Sequence, residues 1–600
     1  MLRHAALVSR WGRSCAAMIA IILLSAIALF IIAYRVYGGW ISRKLDLDDR
    51  HAVPSETMYD GMDYVPAKTA VLFGHHFSSI AGAGPIVGPI LAALFFGWVP
   101  ALIWIVVGSI FVGGVHDFGS MVASIRHKAR SVAELAKEYM SPLSYKLFLA
   151  FIWLTLIYVI VVFLDLTAVS FVDIPGGTGV EEVQGSGVAL ASGIFMVLAV
   201  ALGLVNQRTK TPLWISTAIF VPILVTAAVL ASEVTSDGAY LPTFLGDARE
   251  TWSVVLLGYC FIASITPVWA LLHPRDYLSS FLLYLAVLGG GMGLLIASFS
   301  GNLQATYPAF ISPSDPVFQQ VPHLGPLFPI LFITIACGAC SGFHSIVASG
   351  TTAKQITCES DSRRIGYGGM LTEGVVAVIS LACVMMLGFS AETIGQNPVT
   401  IYARGMGTFL NTFGIPLRVG SMLGLLTLST FLLTTLDTCT RLGRYVMQEF
   451  FQWDNANAVN RVKATLGTLV IPVIMAYTTY TTPSGQVLPV WRAIWPVFGS
   501  TNQLLAGLAL LAVTFWLKRT GRTWAFVAIP TVFMVLTTMV ALVLQATGAN
   551  TAAPVRYISL ALFVLGFVLI VEAMRVFGKP PVPRETILFR DENAAAVPGD

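Results

Sequence analysis

Fifteen mostly apolar runs of about 18 residues or more follow one another along this 600-residue chain. A helix needs roughly 20 apolar residues to cross a hydrocarbon core of about 30 Å. The runs fall at 15–37, 69–97, 99–124, 145–172, 188–205, 212–232, 252–272, 277–299, 327–349, 371–389, 417–436, 464–479, 492–517, 523–545 and 555–577. Only 11% of residues are charged, against roughly 25% in a soluble domain. The chain is therefore expected to be an all-α polytopic membrane protein with about 15 transmembrane helices, seated in the lipid bilayer. The first run, Cys15 to Tyr34, exceeds a signal-peptide core and has no small-residue cleavage site after it, so it reads as a true span.

Charge patterning orients the spans. With loop 125–144 placed in the cytoplasm, alternation puts Arg126, Lys128, Arg130, Arg208, Lys210, Arg363, Arg364, Arg441, Arg444, Lys518, Arg519 and Arg522 inside. The outer loops keep Arg249, Arg404, Arg418, Arg492 and Arg556. That is the positive-inside bias of membrane proteins. One piece conflicts: the tail carrying Arg3, Arg10 and Arg13 falls outside. Segment 126–140 reads as an amphipathic helix on the cytoplasmic surface, and 390–416 as an extra outer loop. The net charge of +4 lies in loops, and no basic nucleic-acid surface is visible. Seven cysteines, scattered through apolar segments, argue against a disulfide framework. Cys337-Gly-Ala-Cys340 reads as small-residue packing rather than a metal site.

Residues 73–89, FGHHFSSIAGAGPIVGP, place glycines and prolines where a span should be regular. Proline removes a backbone donor and glycine weakens a helix. Backbone groups freed in lipid are tolerated only where protein or a wet cavity satisfies them. This segment is expected to be a broken helix lining a binding cavity. A second candidate is ASITPVWALLHPRDY, residues 263–277, interrupted at Pro267. Five helices separate the two breaks, so the second set runs inverted. That is the LeuT-like 5+5 inverted repeat, with its site at the midplane and extra helices at both ends. The expected organisation is 1–68, an N-terminal extra helix and cytoplasmic loop; 69–232 and 252–437, the two repeats; 438–463, a cytoplasmic loop; 464–577, accessory helices; and 578–600, a disordered cytoplasmic tail.

Half-helix N-termini bind carboxylates through free N–H groups and the positive dipole end. Candidate substrate-binding residues are Gly82, Gly84, Gly88, Thr266, Trp269, Ser341 and His344. Histidine titrates near neutrality, and acids inside a membrane are costly and usually functional. Candidate coupling residues are therefore His75, His76, Asp117, Glu373 and Asp437. Ser349, Thr351 and Thr352 could offer oxygens to sodium, and Lys354 a fixed charge where such an ion would sit. Ser341, His344, Ser345, Ser349 and Thr352 are expected on one helical face. Arg275 and Asp276 read as a gate or loop staple, and Asn502 and Gln503 as anchors of an accessory helix.

No HExxH, GxSxG or GxxxxGK[ST] pattern occurs, so no enzyme is expected and accumulation must draw on an ion gradient. FGHHFSSIAGAGPIVGPILAA, PVWALLHPRDYLSSF, LFITIACGACSGFHSIVASGTTAKQI, GYGGMLTE and IWPVFGSTNQLLAG closely resemble the carbon starvation protein A (CstA) family, over about Tyr34 to Leu517. The resemblance implies a bacterial inner-membrane transporter of the amino-acid/polyamine/organocation (APC) superfamily. Its members are linked to peptide uptake in carbon starvation or to proton-coupled pyruvate uptake. The chain looks shorter than long family members, lacking a helix before span one and part of 390–416. The expected function is proton-coupled symport of a small carboxylate nutrient, peptide or pyruvate, with no cofactor and no bound metal. The rival is a membrane nutrient receptor that senses without transporting.

Overall fold

The computed structural model describes residues 17–173, 185–209, 212–235, 247–268, 271–320, 324–454, 457–481, 487–489, 494–548 and 551–583. The N-terminal tail with its arginines, Trp269, and the expected disordered tail from 584 onward lie outside the described residues. The helices are α1 (Met18–Lys44), α2 (Thr69–Ile80), α3 (Gly84–Phe96), α4 (Trp98–Arg126), α5 (Pro142–Ser170), α6 (Gly185–Asn206), α7 (Trp214–Val234), α8 (Ala248–Ile265) and α9 (Pro274–Phe299). They continue as α10 (Leu327–Thr334), α11 (Gly342–Gly350), α12 (Arg363–Met385), α13 (Pro398–Asn411), α14 (Leu417–Phe451), α15 (Ala458–Tyr477), α16 (Trp495–Arg519), α17 (Ala525–Thr547) and α18 (Ala553–Phe577).

Among the described residues 12 helices are long and apolar enough to cross a membrane, or 13 if the bent α2–α3 pair is one span. The expected runs 252–272 and 327–349 account for the difference from fifteen. They correspond to α8 and to the short pair α10 and α11. The protein is a polytopic helical membrane protein.

The molecule is built around α14, whose apolar stretch is wholly enclosed by protein. Its many hydroxyls stay in the helix by bonding the carbonyl one turn back, as Thr427 does to Leu423 and Thr430 to Leu426. The helices α5 and α13 both pack extensively against it. Segment 390–416, expected as a loop, thus holds a helix whose apolar face (Val399, Ile401, Tyr402, Met406 and Phe409) is buried. The 14-residue length of α13 and its interior Gly405 and Gly407 hid it among spans of 20 or more. The amphipathic segment 126–140 forms the helix Val132–Tyr139, but its apolar face packs under α5 and α16 rather than facing lipid.

Loops assigned to one side meet each other. Inside, Glu359 accepts from His51 Nδ1 (2.9 Å), Arg126 Nε (2.8 Å) and the Asp48 amide (3.0 Å). Outside, the Val99 amide donates to the Ala309 carbonyl at 3.0 Å. Gly97, with φ +86°, makes this approach possible: a β-carbon there would lie 2.4 Å from the Ala309 carbonyl oxygen.

Candidate functional site: paired helix breaks over a buried ionisable chain

The first break is where it was expected. Helix α2 stops at Ile80, and α3 restarts at Gly84-Pro85, where proline is tolerated because its missing N–H is one of the helix's free donors. The two halves meet at 41°. The partner break differs from expectation. It is Ile335–Ser341, between α10 and α11, not the segment around Pro267. The small residues Ala336-Cys337-Gly338-Ala339-Cys340 let the unwound stretch pack closely on α3. A β-carbon on Gly84 would lie 2.3 Å from Cys337 Sγ, and one on Gly88 2.7 Å from the Thr334 carbonyl oxygen. Carbonyls freed by the unwinding are satisfied from α4: Trp104 Nε1 donates to Ile335 (3.1 Å) and Ser109 Oγ to Gly338 (3.2 Å). At the first break Thr435 Oγ1 of α14 donates to the Ser79 carbonyl at 3.0 Å. Asn502 Oδ1 of α16 accepts the Phe343 amide at 3.0 Å and so caps α11 from outside its own chain segment.

A cavity of about 510 Å³ lies against both breaks, lined by Gly84, Val87, Gly88, Ala336, Cys337 and Phe163. Its other walls come from Phe498, Leu544, Gln545, Ala552 and Leu324 to Pro326, so it lies toward the side that the charge pattern assigns as outer. Among its described lining residues only Thr334, Cys337, Gln545 and Thr551 bring polar side chains.

One turn inward of the second break runs a chain of ionisable groups, all fully buried. Asp117 of α4 receives His116 Nδ1 at 2.7 Å and His344 Nδ1 of α11 at 2.9 Å, one on each oxygen. His344 Nε2 lies 3.5 Å from Glu373 Oε2 of α12, within ion-pair range but beyond a hydrogen bond. Neither Glu373 oxygen has a hydrogen-bond partner among the described residues. His76 Nδ1 bonds Thr352 Oγ1 at 2.8 Å, and its ring packs on Gly369, one turn from Glu373.

A second buried chain lies beside it. His75 pairs with Asp276, Asp276 with Arg275, and Arg275 with Asp437 and the Tyr259 hydroxyl. Tyr259 also donates to Asp437 at 2.5 Å. Asp437 therefore pairs with Arg275 of α9, not with Arg441 or another cytoplasmic arginine. Near the inner surface Asp63, in the loop after α1, sits among Arg444, Lys354 and Arg441. Burial alone would raise its carboxyl, but those three cations more than offset it and hold it below the ordinary carboxylate range.

The structure thus gathers Gly84 and Gly88 at the cavity, with Gly82 beside it under Phe163. It gathers His76, Asp117, His344, Thr352 and Glu373 into one inner group, and His75 with Asp437 in the chain beside it. Thr266 does not join the breaks: α8 ends at Ile265, before Pro267, and the Thr266 carbonyl bonds Arg441 near the inner face. Ser341 lies outside α11 as its N-cap and bonds Asn502, while Thr352 follows the helix, so the single face expected for span nine is split. Ser349 and Thr351 hydroxyls bond carbonyls of their own helix, at 2.7 and 3.0 Å. Lys354 stacks on Tyr445, away from them. Sequence reasoning passed over His116 and Asp63. The first was legible as the neighbour of a buried acid; the second is one of several acids in a polar loop and carried no signal.

Paired breaks around a cavity, above a buried chain of titratable groups, define a membrane transporter. The chain belongs to the carbon starvation protein CstA family, whose model matches residues 17–394 and 388–541. It is 31% identical to the peptide transporter CstA of Campylobacter jejuni, covering 86% of this chain and 79% of that one. It is 30% identical to the pyruvate/proton symporter BtsT of Escherichia coli (88% and 82% covered). To the peptide transporter CstA of Bacillus subtilis it is also 30% identical (93% and 97%). The protein is a multi-pass transporter of the bacterial inner membrane, not an enzyme.

Proposed function

We propose that this protein is a proton-driven symporter importing small carboxylate nutrients, pyruvate or short peptides, during carbon starvation. The observation that carries the reading is the buried chain His116–Asp117–His344–Glu373, set one turn inward of the paired breaks. A proton on the His344 imidazole turns its approach to Glu373 into an ion pair and relieves a carboxylate that otherwise has no donor. Protonation state is thereby tied to the fit between α4, α11 and α12. The relatives' names, peptide transporter and pyruvate/proton symporter, agree with this cargo class and with proton rather than sodium as the coupling ion.

The cargo would enter the outer cavity and present its carboxylate to the start of α3 at Gly84, where the helix end is positive. A volume of about 510 Å³ lies within the usual range of small-molecule sites, about 300–1,000 Å³. No acidic side chain is among the described lining residues. A peptide's ammonium would lack a counter-charge there, so the cavity makes fewer demands of pyruvate. The architecture fits a LeuT-like 5+5 inverted repeat with shifted limits: α2/α3, α4, α5, α8 and α9 against α10/α11, α12, α14, α15 and α16. Packing across the two sets corresponds. Helix α4 packs on α11 as α12 packs on α3; α8 packs on α5 and α14 as α15 packs on α14 and α5; α9 packs on α2 as α16 packs on α10.

The test is uptake of radiolabelled pyruvate and dialanine into proteoliposomes under an imposed pH or sodium gradient. An acid exterior is expected to drive accumulation, a sodium gradient to drive none, and a protonophore to abolish it. Binding without accumulation would make the protein a sensor and end the reading.

A further inference from the structure

The inner end of α14 carries Arg441, Arg444 and Gln448 on one face, at spacings of three and four residues. Each is 1% exposed. Lys354, in the turn after α11, adds a third cation, with Nζ 3.8 Å from the Tyr445 ring centroid. Among the described residues one carboxylate comes within ion-pair range of the arginines. It is Asp63, 3.4 Å from Arg441 Nη1 and 3.6 Å from Arg444 Nη2, and it also accepts from the Tyr445 hydroxyl. Of the other acids on the helix, Asp437 is held by Arg275 and Tyr259, and Glu449 bonds Ser131 (2.9 Å) and Tyr145 (3.2 Å). Arg441 Nη2 is committed to the carbonyls of Ala263 and Thr266.

This leaves donors over. Arg441 Nε, Arg444 Nε and Nη2, and both amide atoms of Gln448 have no hydrogen-bond partner among the described residues. The two buried arginines face Asp63 alone, while Lys354 is attracted by Glu449 and Asp60 as well, and buried charge without full pairing is unfavourable. Such a place is complementary to a further carboxylate, which a guanidinium binds through two parallel N–H groups. The anion now present sits on the loop that covers the inner ends of the helices, not on the helical scaffold.

We infer that Arg441, Arg444, Lys354 and Gln448 form a second carboxylate-binding station on the cytoplasmic side, held by Asp63 in this conformation and taken over by the cargo as it leaves. Arg444 and Gln448 supply the free donors, Lys354 the long-range attraction, and displacement of Asp63 frees the covering loop. The inference rests on the reading of the cargo as a carboxylate.

The test is calorimetric titration of the purified full-length protein with pyruvate, and separately with inorganic phosphate, in the absence of any gradient. Asp63→Asn removes the internal competitor and is expected to tighten pyruvate binding about tenfold, because the competent fraction rises. The double variant Asp63→Asn/Arg444→Gln restores the charge balance and is expected to lose that gain. Affinity within twofold of wild type in Asp63→Asn, or an equal gain in the double variant, overturns the station. A gain for phosphate alone overturns its carboxylate character. If Asp63→Asn does not fold, Arg444→Gln decides through pyruvate efflux from loaded vesicles. Efflux about tenfold slower with unchanged outer-side affinity is expected, and unchanged efflux refutes the inference. Proton-driven uptake by wild type together with a silent Asp63 defeats this inference alone. A responsive Asp63 without proton-driven uptake defeats the symport reading alone.

Discussion

Gly84 and Cys337 meet where two interrupted helices touch, and the fit leaves no room for a methyl group. Gly84→Ala would set its new carbon about 2.3 Å from Cys337 Sγ, so stability should fall by about 1–3 kcal/mol. Melting of the detergent-solubilised protein at a fixed scan rate checks this. Adding Cys337→Gly should recover part of the loss, and a purely local strain elsewhere would not respond. Asp117 belongs to the same scale but to a different question. Asparagine keeps an acceptor for one imidazole and removes the charge. Asp117→Asn should therefore lower pH-driven pyruvate accumulation about a hundredfold while leaving counterflow exchange, which needs no net proton movement, near wild type. Loss of both would assign Asp117 a structural role.

Helix α11 depends on a cap it does not carry. Ser341 stands at its N-cap position without a side-chain cap bond, and Asn502 of α16 accepts the Phe343 amide instead. Asn502→Ala should cost about 1–2 kcal/mol and slow uptake, since His344 sits in the uncapped turn. Thermal stability and initial uptake rate, measured together, test the pair of effects. The elements also show what the sequence made readable. Long apolar runs gave the spans, and the glycines and prolines of 82–89 gave the first break, because each is a strong local signal. The second break was hidden. Cys337 to Cys340 is small and apolar, so it continues a hydrophobic run, and its unwound form rests on close packing against Gly84 and on partners from Trp104, Ser109 and Asn502. Pro267 was the louder signal and marked a helix end. For the site, Asp117, His344 and Glu373 were legible as buried polar residues, whereas their mutual contacts bring α4 against the consecutive pair α11 and α12, more than two hundred residues further along the chain.

At the scale of the whole molecule the two faces are closed differently. The outer side holds an apolar cavity reaching down to the breaks, while the inner side is shut by paired charges and the loop carrying Asp63. Leu324 lines the outer rim of the cavity and is exposed, so Leu324→Cys should react with a small membrane-impermeant thiol reagent applied from outside, whereas the buried Cys337 should not. Pyruvate should slow that reaction; labelling only from the cytoplasmic side would reverse the assigned orientation.

The enclosure of α14 has a consequence for the membrane itself. Lipid touches α1, α7, α15 and α18 most, and their apolar stretches are largely uncovered by protein. A thicker or thinner bilayer can be met by tilting these outer helices, at a cost of fractions of a kcal/mol per ångström. The axial helix and the breaks it braces are insulated from that adjustment. Turnover should thus depend little on acyl-chain length, and the peripheral helices act as a compliant sleeve around a stiff core.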